Sequence, residues 1–515
     1  MSARAKGPHV IGEWISARAR LNPRRVAIEF FDRPITYQEL DEGSTQLARA
    51  LLVRGLCRGD RVATLSENRP EHVELFFACA KAGLILAPLN SQLTSSELAA
   101  QLRDFSPALV IASQVHRGRF EAACAVVEGL GAPLRLEHLL EDLDGERADS
   151  ELPTVCDDDG LLLIATSGTT GAAKGAVLTH ANCFWTNLSL DLSAPITSDD
   201  VVLQVLPQCH VGGWNVQSLL AWWKGATVIL EPRFDPPRAL ELIARRRVTT
   251  MMGVPTTYLV LAQLPDFGSV DLTSLRSVIS GGAAMPLTLL RQWHERGVGV
   301  IQGYGLTEAS PNVFCLAFED AFTHAGSVGK PYAYVDVALH DDATNTFVEG
   351  VGSGEIYLRG PNVFKGYWNN PEATANTLVD GWLRTGDIAE RDEAGYYRIS
   401  GRSKEMYISG GENVYPAEVE EIIVAHRDVV EAAVVAVEHP RWGETGVAFI
   451  VARSDVDLDV DALLHYCRER LAPFKVPSAI RVVEELPRSH VGKLDRARLR
   501  TLAALGTNEG DAVRP

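Results

Sequence analysis

The chain has 515 residues, too many for one compact core, so two or more domains are expected. Its formal net charge of -17 at pH 7 argues against non-specific binding to nucleic acid or an anionic membrane, since both need clustered Lys and Arg. An anionic substrate would have to meet cations placed locally. The eight cysteines, at 57, 79, 124, 156, 183, 209, 315 and 467, include no C-x-x-C pair, which suits a reducing compartment and gives no disulfide or metal framework. The N-terminal MSARAKGPHVIGEW has no apolar h-region, and no apolar run approaches membrane-spanning length. A cytoplasmic protein without an integral membrane segment is therefore expected.

From about Ile11 to Leu56 a short helical pattern leads into a longer helix that Thr36 can cap and Gly55 can end. GDRVATLSENRPEHVELFFACAKAGLILAPLN then alternates strand, helix and strand at short spacing, the mark of parallel α/β layers. In LTSSELAAQLRDFSPALVIASQ, Thr94 or Ser95 with Glu97 or Leu98 opens a helix before a strand at 108–112. Residues 137–159 are acidic and poorly patterned, so they read as a surface connection.

The stretch ATSGTTGAAKG, residues 165–175, follows the buried-strand pattern Leu161-Leu162-Leu163-Ile164 and leads into a strand or helix start at Ala176-Val177-Leu178. Gly168, Gly171 and Gly175 permit backbone conformations closed to other residues. Thr166, Ser167, Thr169 and Thr170 supply hydroxyls, and Lys174 supplies a cation. Such a loop can wrap the phosphates of a nucleotide, although a Gly/Ser/Thr stretch between strands is commonly only a loop. It is not the P-loop pattern, because no Ser or Thr follows the lysine.

Beyond it, VVLQVLPQCHVGGWNVQSLLAWWKGATVILEP reads as strand, turn, helix and strand, with His210 in the turn and Trp214 either lining a cavity or packing the core. LRSVISGGAAMP and VGVIQGYGLTE end strands in Gly281-Gly282 and Gly303-Tyr304-Gly305. Ligands of open α/β sheets gather at such strand ends. Tyr304 can stack on an adenine, and Thr307 and Glu308 offer oxygen ligands to Mg²⁺. A β-rich section from 326 to 399 follows, with Asp387 and Arg402 next to turns, and from Lys404 short strands and helices form a small α+β unit.

ATSGTTGAAKG resembles the signature loop of the adenylate-forming superfamily, which contains the acyl-CoA synthetases, the adenylation domains of peptide synthetases and the luciferases. The chain departs from it at Ala173, where the family usually has proline. YGLTE resembles the superfamily's Y-G-x-T-E motif, PQCH its strand-end motif, and Pro487-Arg488-Ser489-His490-Val491-Gly492-Lys493 its C-terminal lysine motif. The resemblance covers about residues 25 to 500. It implies an α/β fold with a large N-terminal domain of layered α/β sheets and a β-rich subdomain, residues 1–403, and a small mobile α+β C-terminal domain, residues 404–515.

By the same resemblance, Lys174, the loop residues, Gly282, Ala283, Gly303, Tyr304, Gly305 and Thr307 belong to the ATP site, and Glu308 to the metal. Asp387 and Arg402 would hold the ribose, Lys493 would bridge the carboxylate and the α-phosphate, Lys404 would be the hinge, and Gly410 and Gly411 would line the thiol tunnel. His210, Trp214, Asn215, Gly281, Gln302 and Ser310 form the implied acyl pocket. The implied reaction uses ATP, Mg²⁺ and coenzyme A to turn a hydrophobic carboxylic acid into acyl-AMP and then its CoA thioester, in a monomer or homodimer. A carrier-protein-loading ligase and a non-catalytic nucleotide sensor are the alternatives. No acidic residue lies between His210 and Gly225, which disfavours an α-amino acid. There is no room for an insertion between Asp387 and Arg402, which disfavours the carrier-loading ligase, and the retained charged residues disfavour the sensor.

Overall fold

The computed structural model describes residues 7–143, 150–166, 173–402, 405–409, 412–439, 443–454, 456–488 and 494–505. Ser167, Gly168, Thr169, Thr170, Gly171, Lys404, Gly410, Gly411 and Lys493 lie outside the described residues, and for Arg402 only the backbone is described. The chain divides into two compact units, residues 1–285, 289–337 and 358–384, and residues 286–288, 338–357 and 385–515. This division puts residues 385–402 with the C-terminal part, ahead of the boundary expected at 404. Strand Tyr397–Arg402 lies against helix Pro416–Val424, and Arg398 pairs with Glu421 at 3.1 Å.

Two large sheets lie in the first unit. In one, strands Val26–Phe30, Thr227–Leu230, Val201–Gln204, Thr250–Gly253, Ser277–Ser280 and Val300–Gly305 lie side by side and parallel. In the other, Gly160–Thr166, Ile85–Leu89, Arg61–Leu65, Leu109–Ala112 and Leu134–Arg135 are parallel neighbours. Strand Ile85–Leu89 is buried at every position, as a parallel strand covered on both faces must be. Thr36 and Thr94 cap their helices in full capping boxes with Glu39 and Glu97. The region expected to be an unpatterned connection instead begins with a 3-10 turn, Leu136–His138, and a short helix, Leu139–Asp142. Glu137 accepts the Gln114 amide at 3.0 Å, which ties this segment to the end of the neighbouring strand.

The stretch after the glycine loop is a strand. Lys174–Thr179 pairs antiparallel with Gly160–Thr166 on one side and with Gly366–Tyr367 on the other, so Ala176, Val177 and Leu178 are enclosed between neighbours.

In the second unit, strand Val429–His439 alternates its side chains between two cores. Val434 joins Val419, Ile423, Leu463 and Cys467 of helices Pro416–Val424 and Val460–Arg468. Ala433 and Val435 join Leu499 and Ala503 of helix Arg496–Leu505. The residues flanking 489–493 are fixed: Arg488 bridges to Leu494, the Asp495 amide donates to Pro487 O at 2.8 Å, and Arg496 pairs with Glu420 at 2.7 Å. Among the described residues no helix is long and apolar enough to cross a membrane.

Helix Pro70–Ala82 places the Glu74 carboxyl against Gly43, where an added Cβ would lie 2.8 Å from its carboxyl carbon. Burial, reinforced by the Glu71 charge, pushes Glu74 up to about 7. The folded state therefore holds a proton that the unfolded chain has released, and the stability this contributes below pH 4.5 is lost as pH rises to about 7. Glu74→Gln should match wild type at pH 4.5 and melt about 2 °C or more higher at pH 8, read by thermal unfolding.

Candidate functional site

Segment 360–368 ties the glycine-loop hairpin to the end of strand Val300–Gly305. On one side, Gly366 and Tyr367 pair with Val177 and Ala176. The amides of Lys365 and Trp368 donate to Val177 O at 3.0 Å and Gly175 O at 2.7 Å. On the other side, the Phe364 amide donates to Glu308 O at 2.8 Å. Two buried carboxamides hold the middle. Asn182 Nδ2 donates to Pro361 O and Val363 O, both at 2.8 Å, and Asn362 Nδ2 donates to Ala309 O at 3.0 Å and Asn312 O at 3.1 Å.

Lys174 and Glu308, far apart in sequence, meet on one side chain. The Tyr367 hydroxyl donates to Glu308 Oε1 at 2.7 Å, and Lys174 Nζ lies 5.2 Å from the centre of the same ring. Burial, together with the Glu308 charge, pushes the Tyr367 phenol well above the ordinary tyrosine range, so it stays a hydroxyl and a donor at neutral pH. Thr166 Oγ1 donates to Lys174 O at 3.3 Å and closes the base of the loop. The result is a cation, a hydroxyl and a carboxylate in a row beside the glycine loop.

The two glycine-rich strand ends need glycine for distinct reasons. Gly305 has backbone directly above it, and a Cβ there would fall 1.5 Å from Pro311 O. Gly282 is exposed, with φ +81°, in the left-handed region. Ala283 beside it is exposed as well. Tyr304 is half-buried, opposite Phe314 across the antiparallel pair, with ring centres 5.7 Å apart. Thr307 and Glu308 form the 3-10 turn that follows and are also half-buried.

Residues 15–368 match the AMP-binding enzyme family, and residues 418–493 match the AMP-binding enzyme C-terminal domain. The chain belongs to the AMP-binding enzyme family. It is 39% identical over 492 residues to a feruloyl-CoA synthase of an Amycolatopsis species, covering 95% of this chain and 98% of that one. It is 37% identical over 507 residues to an indoleacetate–CoA ligase of Aromatoleum aromaticum, covering 96% and 99%. Among solved structures it resembles the O-succinylbenzoate coenzyme A synthetase of Bacillus subtilis in complex with ATP and magnesium ion, with a TM-score of 0.84 and 32% identity over 94% of this chain and 98% of that one.

The acyl-pocket residues expected for this AMP-binding enzyme are placed unequally. His210 is half-buried in the turn after strand Val201–Gln204. Trp214 is wholly buried: its indole lies flat on Phe76, ring centres 4.5 Å apart, and Nε1 donates to Gln208 O at 2.6 Å. Asn215, also wholly buried, accepts from Asn187 Nδ2 at 3.2 Å. Both side chains are packed among buried neighbours. Gln302 is 4% exposed and uses Oε1 to accept the Met285 amide at 2.9 Å, while Ser310 is closed off with φ +68°. Gly281 is buried against Met252, whose Cε would be 2.9 Å from an added Cβ. Burial pushes the Cys209 thiol up to about 12, so it is no thiolate at neutral pH.

In the second unit Asp387, 6% exposed, stands opposite Arg402 in the antiparallel register. Tyr367, Asn182 and Asn362 carry much of the arrangement in the first unit, yet sequence reasoning did not single them out. In GPNVFKGYW a tyrosine reads as any strand aromatic. The one local signal is the glycine before it, whose φ of +138° turns the chain into the pairing position.

Because backbone occupies the space above Gly305, Gly305→Ala should displace the turn that carries Glu308 and weaken ATP binding by about 100-fold or more, an estimate from the cost of a backbone clash. Gly282→Ser, strained by its φ of +81° but with no backbone in its way, should lose less. Titration with a fluorescent ATP analogue compares the two.

Proposed function

We propose that this AMP-binding enzyme activates a hydrophobic monocarboxylate, and an aryl or aryl-alkyl acid in preference to a long fatty chain. The reading is supported by the relatives named for ferulate and indoleacetate. It is also supported by the candidate acid-site residues His210, Gly281, Gln302 and Ser310, none of which is an arginine or lysine that could pair with a second carboxylate.

The reaction is AMP-forming acid–thiol ligation with ATP, Mg²⁺ and coenzyme A. A carboxylate oxygen attacks the α-phosphorus of ATP, the bond to the bridging oxygen breaks, and pyrophosphate leaves. The CoA sulfur then attacks the acyl carbon of acyl-AMP, the thiol proton goes to solvent, and AMP departs. No general base is needed for the first step, because the acid is already ionised at neutral pH.

The obstacle is repulsion between two anions, and the chain's cations answer it. Lys174 supplies positive charge beside the loop that would hold the β and γ phosphates. Glu308 fits Mg²⁺: it is a half-exposed carboxylate with one oxygen held by Tyr367 and the other without a hydrogen-bond partner among the described residues, and Mg²⁺ commonly takes one or two carboxylates plus substrate phosphates. When bound, the ion would neutralise phosphate charge. Tyr304 would stack on the adenine, and Asp387 and Arg402 would clamp the ribose. Lys493 would bridge carboxylate and α-phosphate, then withdraw as the C-terminal domain turns about Lys404 and brings Gly410 and Gly411 to the thiol path. The setting is cytoplasmic, and the enzyme is a monomer or homodimer.

One observation carries this reading: segment 360–368 brings Lys174 and Glu308 to a common side chain beside the glycine loop. Pyrophosphate release should be fastest with ferulate or indole-3-acetate, slower with dodecanoate and absent with malonate. Product release should require CoA; turnover without CoA would indicate a carrier-protein acceptor, and no release with any acid would sink the ligase reading. Lys493→Ala should lower acyl-AMP formation by about 100-fold or more, the scale of losing one charge aimed at the transition state. It should leave thioester formation from supplied acyl-AMP near wild type, as followed by chromatography of the CoA product.

A further inference from the structure

Tyr367 lies outside every motif singled out in the sequence, yet it touches both charged groups of the candidate site. Its hydroxyl holds one oxygen of Glu308, and its ring face lies under the Lys174 ammonium. Its backbone is fixed in the ladder with Ala176, and its ring packs edge-on against Phe364 at 4.9 Å. The Phe364 amide in turn holds the Glu308 carbonyl. Glu308 is thus fixed at main chain and side chain by residues three apart on one segment.

We infer that Tyr367 is a positioning residue for the metal ligand, orienting the Glu308 carboxylate through its hydroxyl and seating Lys174 on its ring. The inference rests on the proposed role of Glu308 toward Mg²⁺. Two opposite charges this close would gain most by pairing with each other, which would blunt both for an incoming nucleotide and its metal. The tyrosine prevents that by giving each its own partner. The hydroxyl binds one carboxylate oxygen and leaves the other lone pairs for a cation, while the ring attracts the ammonium without neutralising it. Among the described residues no ion pair joins Lys174 to Glu308.

The two halves of the side chain can be removed separately. Tyr367→Phe keeps the ring and its packing and loses only the hydroxyl, whereas Tyr367→Leu loses both. The probes are Mn²⁺, followed by electron paramagnetic resonance on the enzyme–ATP complex without acid, and ATP binding in EDTA. Glu308→Gln serves as the reference.

Tyr367→Phe should weaken Mn²⁺ binding about tenfold, the scale of one hydrogen bond to a charged group. Its metal-free ATP affinity should stay within about twofold of wild type and its melting temperature should fall by no more than about 5 °C, since one hydrogen bond is lost and the ring's packing is kept. Tyr367→Leu should weaken metal-free ATP binding as well. The double variant Tyr367→Phe with Glu308→Gln should bind Mn²⁺ no worse than Glu308→Gln alone, because the hydroxyl acts through that carboxylate.

Mn²⁺ binding in Tyr367→Phe that equals or exceeds wild type would overturn the inference. So would equal loss with and without metal, or a double variant showing the product of the two single effects. If Glu308→Gln itself leaves Mn²⁺ binding untouched, the metal role of Glu308 falls first and the inference with it. If Glu308→Gln weakens it and Tyr367→Phe does not, the inference alone fails.

Discussion

The candidate site depends on one short antiparallel pairing, Gly366–Tyr367 against the strand that begins with Lys174. Backbone hydrogen bonds fix direction and register together, so once Gly366 faces Val177 and Tyr367 faces Ala176, the rest of segment 360–368 has little freedom. Phe364 must then meet the Glu308 carbonyl, and Asn362 must reach the carbonyls of Ala309 and Asn312. A buried amide that misses its partner costs about 1–3 kcal/mol, so the carboxamides of Asn182 and Asn362 reinforce that register.

The arrangement suits a chemistry that draws two anions together. A flexible lysine and a flexible glutamate would each lose side-chain entropy when ordered by a nucleotide, or would find each other first. A tyrosine between them lowers both losses, because it is rigid, offers a face to the cation and presents a single donor to the carboxylate. The glycines at the strand ends work alongside by keeping side chains out of the way, most plainly at Gly305, where main chain leaves no room for a Cβ. Charge is thus concentrated where the chain as a whole, at -17, would repel a nucleotide.

Membership of the family was legible because its motifs are runs of adjacent residues whose function lies in the backbone or in a single side chain. ATSGTTGAAKG and YGLTE are of that kind. So were the helix caps at Thr36 and at Thr94 or Ser95, which need only nearby residues; the structure completed both Thr36 and Thr94 into capping boxes with Glu39 and Glu97. The acyl pocket was harder to read, because lining a cavity and packing a core call for the same residue types. Trp214 and Asn215 stand one and two residues past two glycines in the right neighbourhood, but the helix direction turns them inward onto Phe76 and Asn187.

The sequence by itself determined the family, the parallel α/β character of the first unit and the helix caps, since each of these follows from local pattern. Tertiary structure decided that the stretch after the glycine loop is a strand, that Trp214 and Asn215 belong to the core, and that residues 385–402 pack with the C-terminal part. It alone showed Tyr367 between Lys174 and Glu308. That meeting comes from strand pairing and turn packing between segments distant in sequence, and no local spacing encodes it.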